Sequence, residues 1–215
     1  MKLIISFAIC LITAGIVTAQ KGEQAPVQVG QPIGQFSLSD IRYYPKSSVT
    51  QDDFKGKWLI LDFWNASCMV CIKAMPKMDS LQARLRNNTK VMLVGYTGSQ
   101  YHQGTGENDE KKIKEVYERV KSHAKFNLPS AFDSTLFHRF NIAPCPYIII
   151  VDPEGIVRGV TSRLDYGQMD SILKGIPVEL RKAYTSKESK QIRAERLKAE
   201  GKDKKIGRRH MSPPY

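Results

Sequence analysis

The segment LILDFWNASCMVC, residues 59–71, sets the architecture of this chain. The apolar run from Leu59 to Phe63 predicts a central strand that is buried on both faces. A short polar turn follows, and the pair Cys68 and Cys71 then opens a helix. A helix start carries unpaired backbone N–H groups and the positive end of the helix dipole, and both favour a thiolate at Cys68. The pattern therefore indicates reversible dithiol–disulfide exchange.

Apolar runs and helical periodicity alternate along the rest of the chain. Ser67 is the predicted N-cap of the helix after the cysteine pair, and Pro76 lies inside that helix and is expected to kink it. Further strands are predicted at 90–96 and 147–152, the second followed by a hairpin partner at 156–161. We therefore predict an α/β fold with a central mixed β-sheet flanked by helices. The helix after the cysteine pair buries a face made of Ile72, Met75, Met78, Leu81 and Leu85.

The first 19 residues predict a secretory signal peptide. Met1 and Lys2 precede an apolar run, and Val17-Thr18-Ala19 is a small-residue cleavage pattern. An uncleaved membrane anchor is the alternative, although the run is short for a span. The pattern predicts an exported protein in the periplasm or cell envelope of a bacterium, with a linker at 20–28 and one domain at 29–180.

The charge is concentrated at the C-terminal end. The chain has 33 Lys and Arg against 21 Asp and Glu, a formal net charge of +12. Residues 181–215 alone account for +8, so the domain itself is close to neutral. This distribution argues against a nucleic-acid-binding face. The basic tail is poor in large apolar residues and is expected to be disordered, with contact to an anionic surface as the alternative.

Several motifs in the right order resemble the thioredoxin superfamily, most closely its exported TlpA/ResA-type thiol–disulfide oxidoreductases. The resemblance covers about residues 29–175. Its carriers are DFKGK at 53–57, DFW at 62–64, the CMVC segment at 68–71, Pro76, and Pro146 at the start of a strand that ends in DPEG. It implies a thioredoxin-like fold with an N-terminal extension and an insertion before the Pro146 strand.

The resemblance also implies a role for each matched residue. Cys68 is the exposed attacking thiol, and Cys71 is the buried thiol that resolves the mixed disulfide. Pro146 is in the cis form beside the pair. Asp62 matches a buried acid that takes a proton from Cys71, the alternative being a strand-end Asp with ordinary hydrogen bonds. The redox-active disulfide joins Cys68 and Cys71. No cofactor and no metal are implied, and the partners are protein disulfides or thiols and an upstream membrane electron donor.

The expected substrate-docking surface comprises Trp64, Ser67, Met69, Val70 and Cys145. Cys145 immediately precedes Pro146 and has three open interpretations. It is a small half-buried hydrophobe, a third redox thiol that pairs with Cys68, or part of a three-thiolate metal site.

Two other functions compete with disulfide reduction. A thiol peroxidase of the peroxiredoxin kind shares the fold, but it requires a Pro- and Thr-bearing loop and an Arg around its cysteine. Residues 64–67 offer none of these. A copper or zinc carrier using Cys68, Cys71 and Cys145 is the second alternative.

Overall fold

The computed structural model describes residues 27–98 and 107–209. The predicted signal peptide and most of the predicted linker therefore lie outside the described residues. The strands are β1 (Ser37–Leu38), β2 (Ile41–Arg42), β3 (Val49–Thr50), β4 (Trp58–Trp64), β5 (Thr89–Gly95), β6 (Ser130–Phe132), β7 (Tyr147–Val151) and β8 (Val157–Thr161). The helices are α1 (Met69–Leu85), α2 (Glu107–Ala124), α3 (Thr135–Arg139), α4 (Tyr166–Leu173) and α5 (Ser186–Arg209).

Six strands form one mixed sheet in the order β2-β6-β5-β4-β7-β8, with β4 inside it. β4 runs parallel to β5 and antiparallel to β7, and β7 and β8 form the predicted hairpin. The predicted α/β fold with a central mixed sheet is confirmed. β6 and α3 lie between α2 and β7, at the place predicted for an insertion before the Pro146 strand.

The two faces of β4 serve two separate cores because successive side chains of a strand point to opposite sides of the sheet. Leu59, Leu61 and Phe63 pack into one core with α3 and the N-terminal extension. Ile60 and Trp64 pack into the other core, under α1, α2 and α4. Asp62 lies between Ile60 and Trp64 in this alternation, so its side chain belongs to the face that α1 covers.

The N-terminal extension contains less regular structure than its alternating pattern suggests. The alternation of residues 33–38 is typical of a strand, but only Ser37–Leu38 pairs, forming a two-stranded sheet with β3. A short 3-10 helix at Gln51–Phe54 then leads into β4. Arg139 of α3 holds the extension by donating to the carbonyl oxygens of Gln35 and Ile33.

The first residues after Leu180, which the charge pattern assigns to a disordered tail, make contacts with the domain. The carbonyl oxygen of Arg181 accepts hydrogen bonds from the Ser162 amide at 2.9 Å and the Thr161 hydroxyl at 2.8 Å. Ala183 is buried against the domain. The side chains of Thr185 and Glu188 then cap α5 reciprocally, and this Thr-x-x-Glu spacing is a capping-box signal readable in the sequence. Contacts with the domain thus extend beyond the predicted boundary at residue 180.

Across the two described stretches, no helix combines the length and the apolar character that crossing a membrane requires.

Candidate active site

Cys68 and Cys71 form a disulfide at the start of α1, with an S–S distance of 2.06 Å and a Cα–Cα distance of 5.3 Å. The predicted pairing is therefore present in the structure. The N-cap of α1 is Cys68, so the helix begins one residue later than the prediction of Ser67 as the cap implies. The Sγ of Cys68 accepts a hydrogen bond from the Cys71 backbone N–H at 3.2 Å. The same donor can stabilise a Cys68 thiolate once the disulfide is reduced.

The two sulfur atoms of the pair differ in accessibility. Cys68 is half-buried, whereas Cys71 is only 3% exposed and packs into the core below α1. Met69 and Val70 between them are 58% and 67% exposed, which leaves an apolar surface beside Cys68. Cys68 is therefore the more accessible of the two sulfur atoms to an external thiol or disulfide.

Pro146 follows a cis peptide bond from Cys145, as predicted. The antiparallel register pairs Phe63 with Tyr147, so the start of β7 lies next to the end of β4. Pro146 and Cys71 consequently line the same cavity, which has a volume of about 330 Å³.

Asp62 also lines this cavity and is 4% exposed. Its carboxyl group makes no hydrogen bond or ion pair with any residue that the structure describes. Burial without such a partner disfavours the charged form and raises the pKa of Asp62 to about 7. The carboxyl group of Asp62 is thus buried in the cavity that Cys71 also lines.

Cys145 is a free, half-buried thiol that packs against both cores. Burial raises the pKa of its thiol strongly, the charge of Asp62 raises it further, and a hydrogen bond with the Asn65 side chain opposes both effects. Cys145 is therefore protonated at neutral pH and is a poor nucleophile. This environment favours the interpretation of Cys145 as a small hydrophobe.

The prediction that Trp64 belongs to the docking surface is wrong. Its side chain is 1% exposed and packs edge-on against Phe132 and at a tilt against Tyr117. Its indole N–H donates to the buried hydroxyl of Ser130 at 3.4 Å. Strand alternation directs Trp64 into the core below α2, whereas Ser67, Met69 and Val70 follow the strand and remain exposed.

Four basic residues around the cavity were missed by the sequence reasoning: Lys73, Lys77, Arg163 and Arg181. Lys73 and Lys77 are four residues apart on α1, so their common face was readable from helix periodicity. Arg163 and Arg181 come from separate loops, and no local pattern connects them. Across the described residues, no group of three or more His, Cys, Asp or Glu is arranged to hold a metal ion.

The fold and the cysteine pair together define a thioredoxin-like protein. The chain belongs to the AhpC/TSA family, whose model matches residues 29–160. The predicted resemblance to thioredoxin-like thiol–disulfide oxidoreductases is confirmed by the relatives described next.

Among curated proteins, the thioredoxin-like protein YneN of Bacillus subtilis is 26% identical over 139 residues, covering 64% of this chain and 74% of YneN. The thiol-disulfide oxidoreductase ResA of Bacillus cereus is 24% identical over 186 residues, covering 81% of this chain and 96% of ResA.

Solved structures agree on the fold. The thioredoxin domain of a thiol-disulfide oxidoreductase from Bacteroides vulgatus aligns with a TM-score of 0.51 at 24% identity, covering 68% of this chain and 98% of that domain. The crystal structure of AhpC from Enterococcus faecalis aligns with a TM-score of 0.52 at 20% identity, covering 69% of this chain and 92% of AhpC. At these identities, the alignments support the thioredoxin-like fold alone.

Proposed function

We propose that this thiol–disulfide oxidoreductase reduces disulfides in exported proteins through Cys68 and Cys71. The observation that carries the proposal is the asymmetry of the pair, with an accessible sulfur at the helix start and a buried sulfur behind it. One thiol attacks a substrate and the other completes the reaction within the same site.

The reaction transfers two electrons from the reduced pair to the substrate. The Cys68 thiolate attacks one sulfur of the substrate disulfide, forming a mixed disulfide and releasing the other substrate sulfur as a thiolate, which takes a proton from solvent. Cys71 then loses its proton and attacks the Cys68 sulfur. The second substrate thiolate leaves, and the Cys68–Cys71 disulfide forms. A dithiol donor returns the enzyme to its reduced state.

Asp62 is proposed to accept the Cys71 proton in the second step. Its carboxyl group lines the same cavity as Cys71, and its pKa of about 7 lets it exchange protons near neutral pH. Pro146 is proposed to present the adjoining backbone to a docked substrate, with Ser67, Met69 and Val70 as the exposed contact surface.

Export is a separate part of the proposal and is supported by the signal-peptide pattern of residues 1–19. We propose that the domain works in the periplasm or cell envelope of a bacterium and receives electrons from a membrane donor. Fractionation of cells followed by mass determination tests this, with an N-terminus at Gln20 outside the cytoplasm as the expected result.

The central test is reduction of a protein disulfide by the pre-reduced enzyme. Cys68→Ser should abolish the reaction, whereas Cys71→Ser should accumulate a mixed disulfide that is visible on a non-reducing gel. Asp62→Asn should slow release of the mixed disulfide, by about 100-fold if it removes a general base. Full reduction by Cys68→Ser would rule out the proposed mechanism.

A thiol peroxidase is a second candidate, favoured by the match to the AhpC/TSA family. The segment 64–67 before Cys68 contains no Pro, Thr or Arg to organise a bound peroxide. Consumption of hydrogen peroxide with a dithiol donor separates the two functions. We expect consumption no faster than that of a free dithiol.

A further inference from the structure

The cavity that contains Cys71 is lined by residues from several parts of the chain. Val70, Ala74 and Met78 come from α1, and Leu164 from the loop after β8 faces them. These apolar side chains form its walls, while Asp62, Cys71 and Pro146 lie along it. Its volume of about 330 Å³ is at the lower end of the range for small-molecule sites, which suits one or two amino-acid side chains.

Four cations surround this opening: Lys73, Lys77, Arg163 and Arg181. All four are exposed. Among the side chains that the structure describes, at 27–98 and 110–200, none of the four forms an ion pair with an acidic residue. Nearby cations do find such partners, since Lys174 pairs with Asp170 at 2.6 Å and Lys182 with Glu188 at 2.9 Å.

Helix geometry and a backbone hydrogen bond place these four basic residues around one opening. Lys73 and Lys77 are one turn apart on α1, where like charges repel. Arg181 is anchored through its carbonyl oxygen to Ser162, the neighbour of Arg163. Four positive groups therefore concentrate around one apolar opening, and such a field attracts anions and selects among partners.

We propose that this opening, the cationic cavity, binds acidic side chains that flank the cysteine of a protein substrate. The inference rests on the proposed function and adds the substrate class. A mixed disulfide at Cys68 ties the substrate chain beside Pro146, which gives its flanking residues a high local concentration at the cavity. The methylenes of Glu suit the apolar walls, and its carboxylate pairs with the Lys and Arg side chains at the rim, where Arg binds carboxylates through two parallel hydrogen bonds.

A set of matched peptides tests the inference. Each peptide carries one intramolecular disulfide in the same scaffold, flanked by Glu, by Gln or by Lys. The pre-reduced enzyme is mixed with each peptide, and the second-order rate constant is followed by stopped flow. The Glu peptide should react about tenfold faster than the Gln peptide, and the Lys peptide slowest. The Glu advantage should vanish as ionic strength rises from about 0.01 M to about 1 M, because the screening length falls from about 30 to 3 Å.

Two double variants locate the effect. Lys73→Gln with Lys77→Gln should lower the ratio of the Glu-peptide rate constant to the Gln-peptide rate constant from about 10 to near 1. The control, Lys187→Gln with Lys190→Gln, removes the same charge from exposed positions on α5 and should leave the preference intact. An equal loss in both variants would assign the preference to net charge and overturn the inference.

The remaining outcomes separate the two proposals. Equal rate constants for all three peptides would overturn acidic recognition while leaving disulfide reduction in place. Failure to reduce any peptide would overturn the proposed function and the inference together. Light scattering tests whether the enzyme self-associates. Self-association that Lys73→Gln with Lys77→Gln abolishes would show that the cavity binds a second copy of this chain, and it would also overturn the inference.

Discussion

Asp62 is the residue whose environment makes the sharpest prediction. Its pKa of about 7 exceeds the ordinary pKa of an Asp side chain, about 4, so between these two pH values the folded protein binds a proton that the unfolded chain does not. Stability therefore falls as pH rises from about 4 to 7, and above pH 7 the full cost of the buried charge is present. Asp62→Asn should match wild type near pH 4 and exceed it by roughly 2–4 kcal/mol at pH 8. Urea unfolding across this pH range measures the difference, and parallel curves for the two proteins would contradict it.

Cys145 makes a second prediction at this scale. Because burial and the charge of Asp62 raise the pKa of its thiol, the oxidised enzyme should alkylate slowly at Cys145 at pH 8. Mass spectrometry after timed iodoacetamide treatment identifies the modified residue. The reduction potential of the Cys68–Cys71 pair should also be the same in Cys145→Ser. A shifted potential, or a disulfide that includes Cys145, would show that this thiol takes part in the reaction.

At the scale of elements, the capping box at the start of α4 is expected to contribute to stability. Asp165 accepts a hydrogen bond from the Gln168 amide at 2.9 Å, and the Gln168 side chain reaches back to the Asp165 amide at 3.1 Å. Asp165→Ala should lower the free energy of unfolding by about 1 kcal/mol. Asp170→Ala is the control, since its ion pair with Lys174 is exposed and contributes at most about 0.5 kcal/mol. Urea unfolding measures both variants. Equal losses in the free energy of unfolding would show that the Asp165 cap does not account for the effect.

The elements with strong local patterns were predictable from the sequence, and those that depend on distant partners were not. The apolar run of β4, the periodic face of α1 and the cap at Asp165 each act within a few residues. The short pairing of β1 with β3 depends on residues far apart in sequence, so the alternation at 33–38 overstated its length. At the site, the cysteine pair, Asp62 and Pro146 followed from motifs. The inward direction of Trp64 was readable from strand alternation, but its partners Tyr117 in α2 and Phe132 in β6 are distant in sequence and no local pattern identifies them.

At the scale of the whole molecule, the segment after residue 180 separates into an anchored part and an exposed helix. Residues 181–185 bond to the domain, whereas the side chains of 193–200 are exposed. A chain that ends at Lys190 should keep the stability of the full chain. A chain that ends at Leu180 should lose about 1–3 kcal/mol, because Ala183 leaves the core and the Ser162 amide loses its acceptor. Urea unfolding of the two truncated proteins provides the comparison, and equal stability would place the end of the domain at residue 180.

The pairing of Phe63 with Tyr147 also means that the active site can be completed only after β7 has been synthesised. The cysteine pair lies at the end of β4, but the strand that flanks it is made from residues much later in the chain. Such a non-local contact forms slowly, and a chain that emerges from its N-terminus presents both thiols before β7 is available. Until then the two cysteines form an exposed dithiol that can react with any oxidant or with any accessible disulfide. Selectivity is thus acquired only when the last third of the domain has arrived.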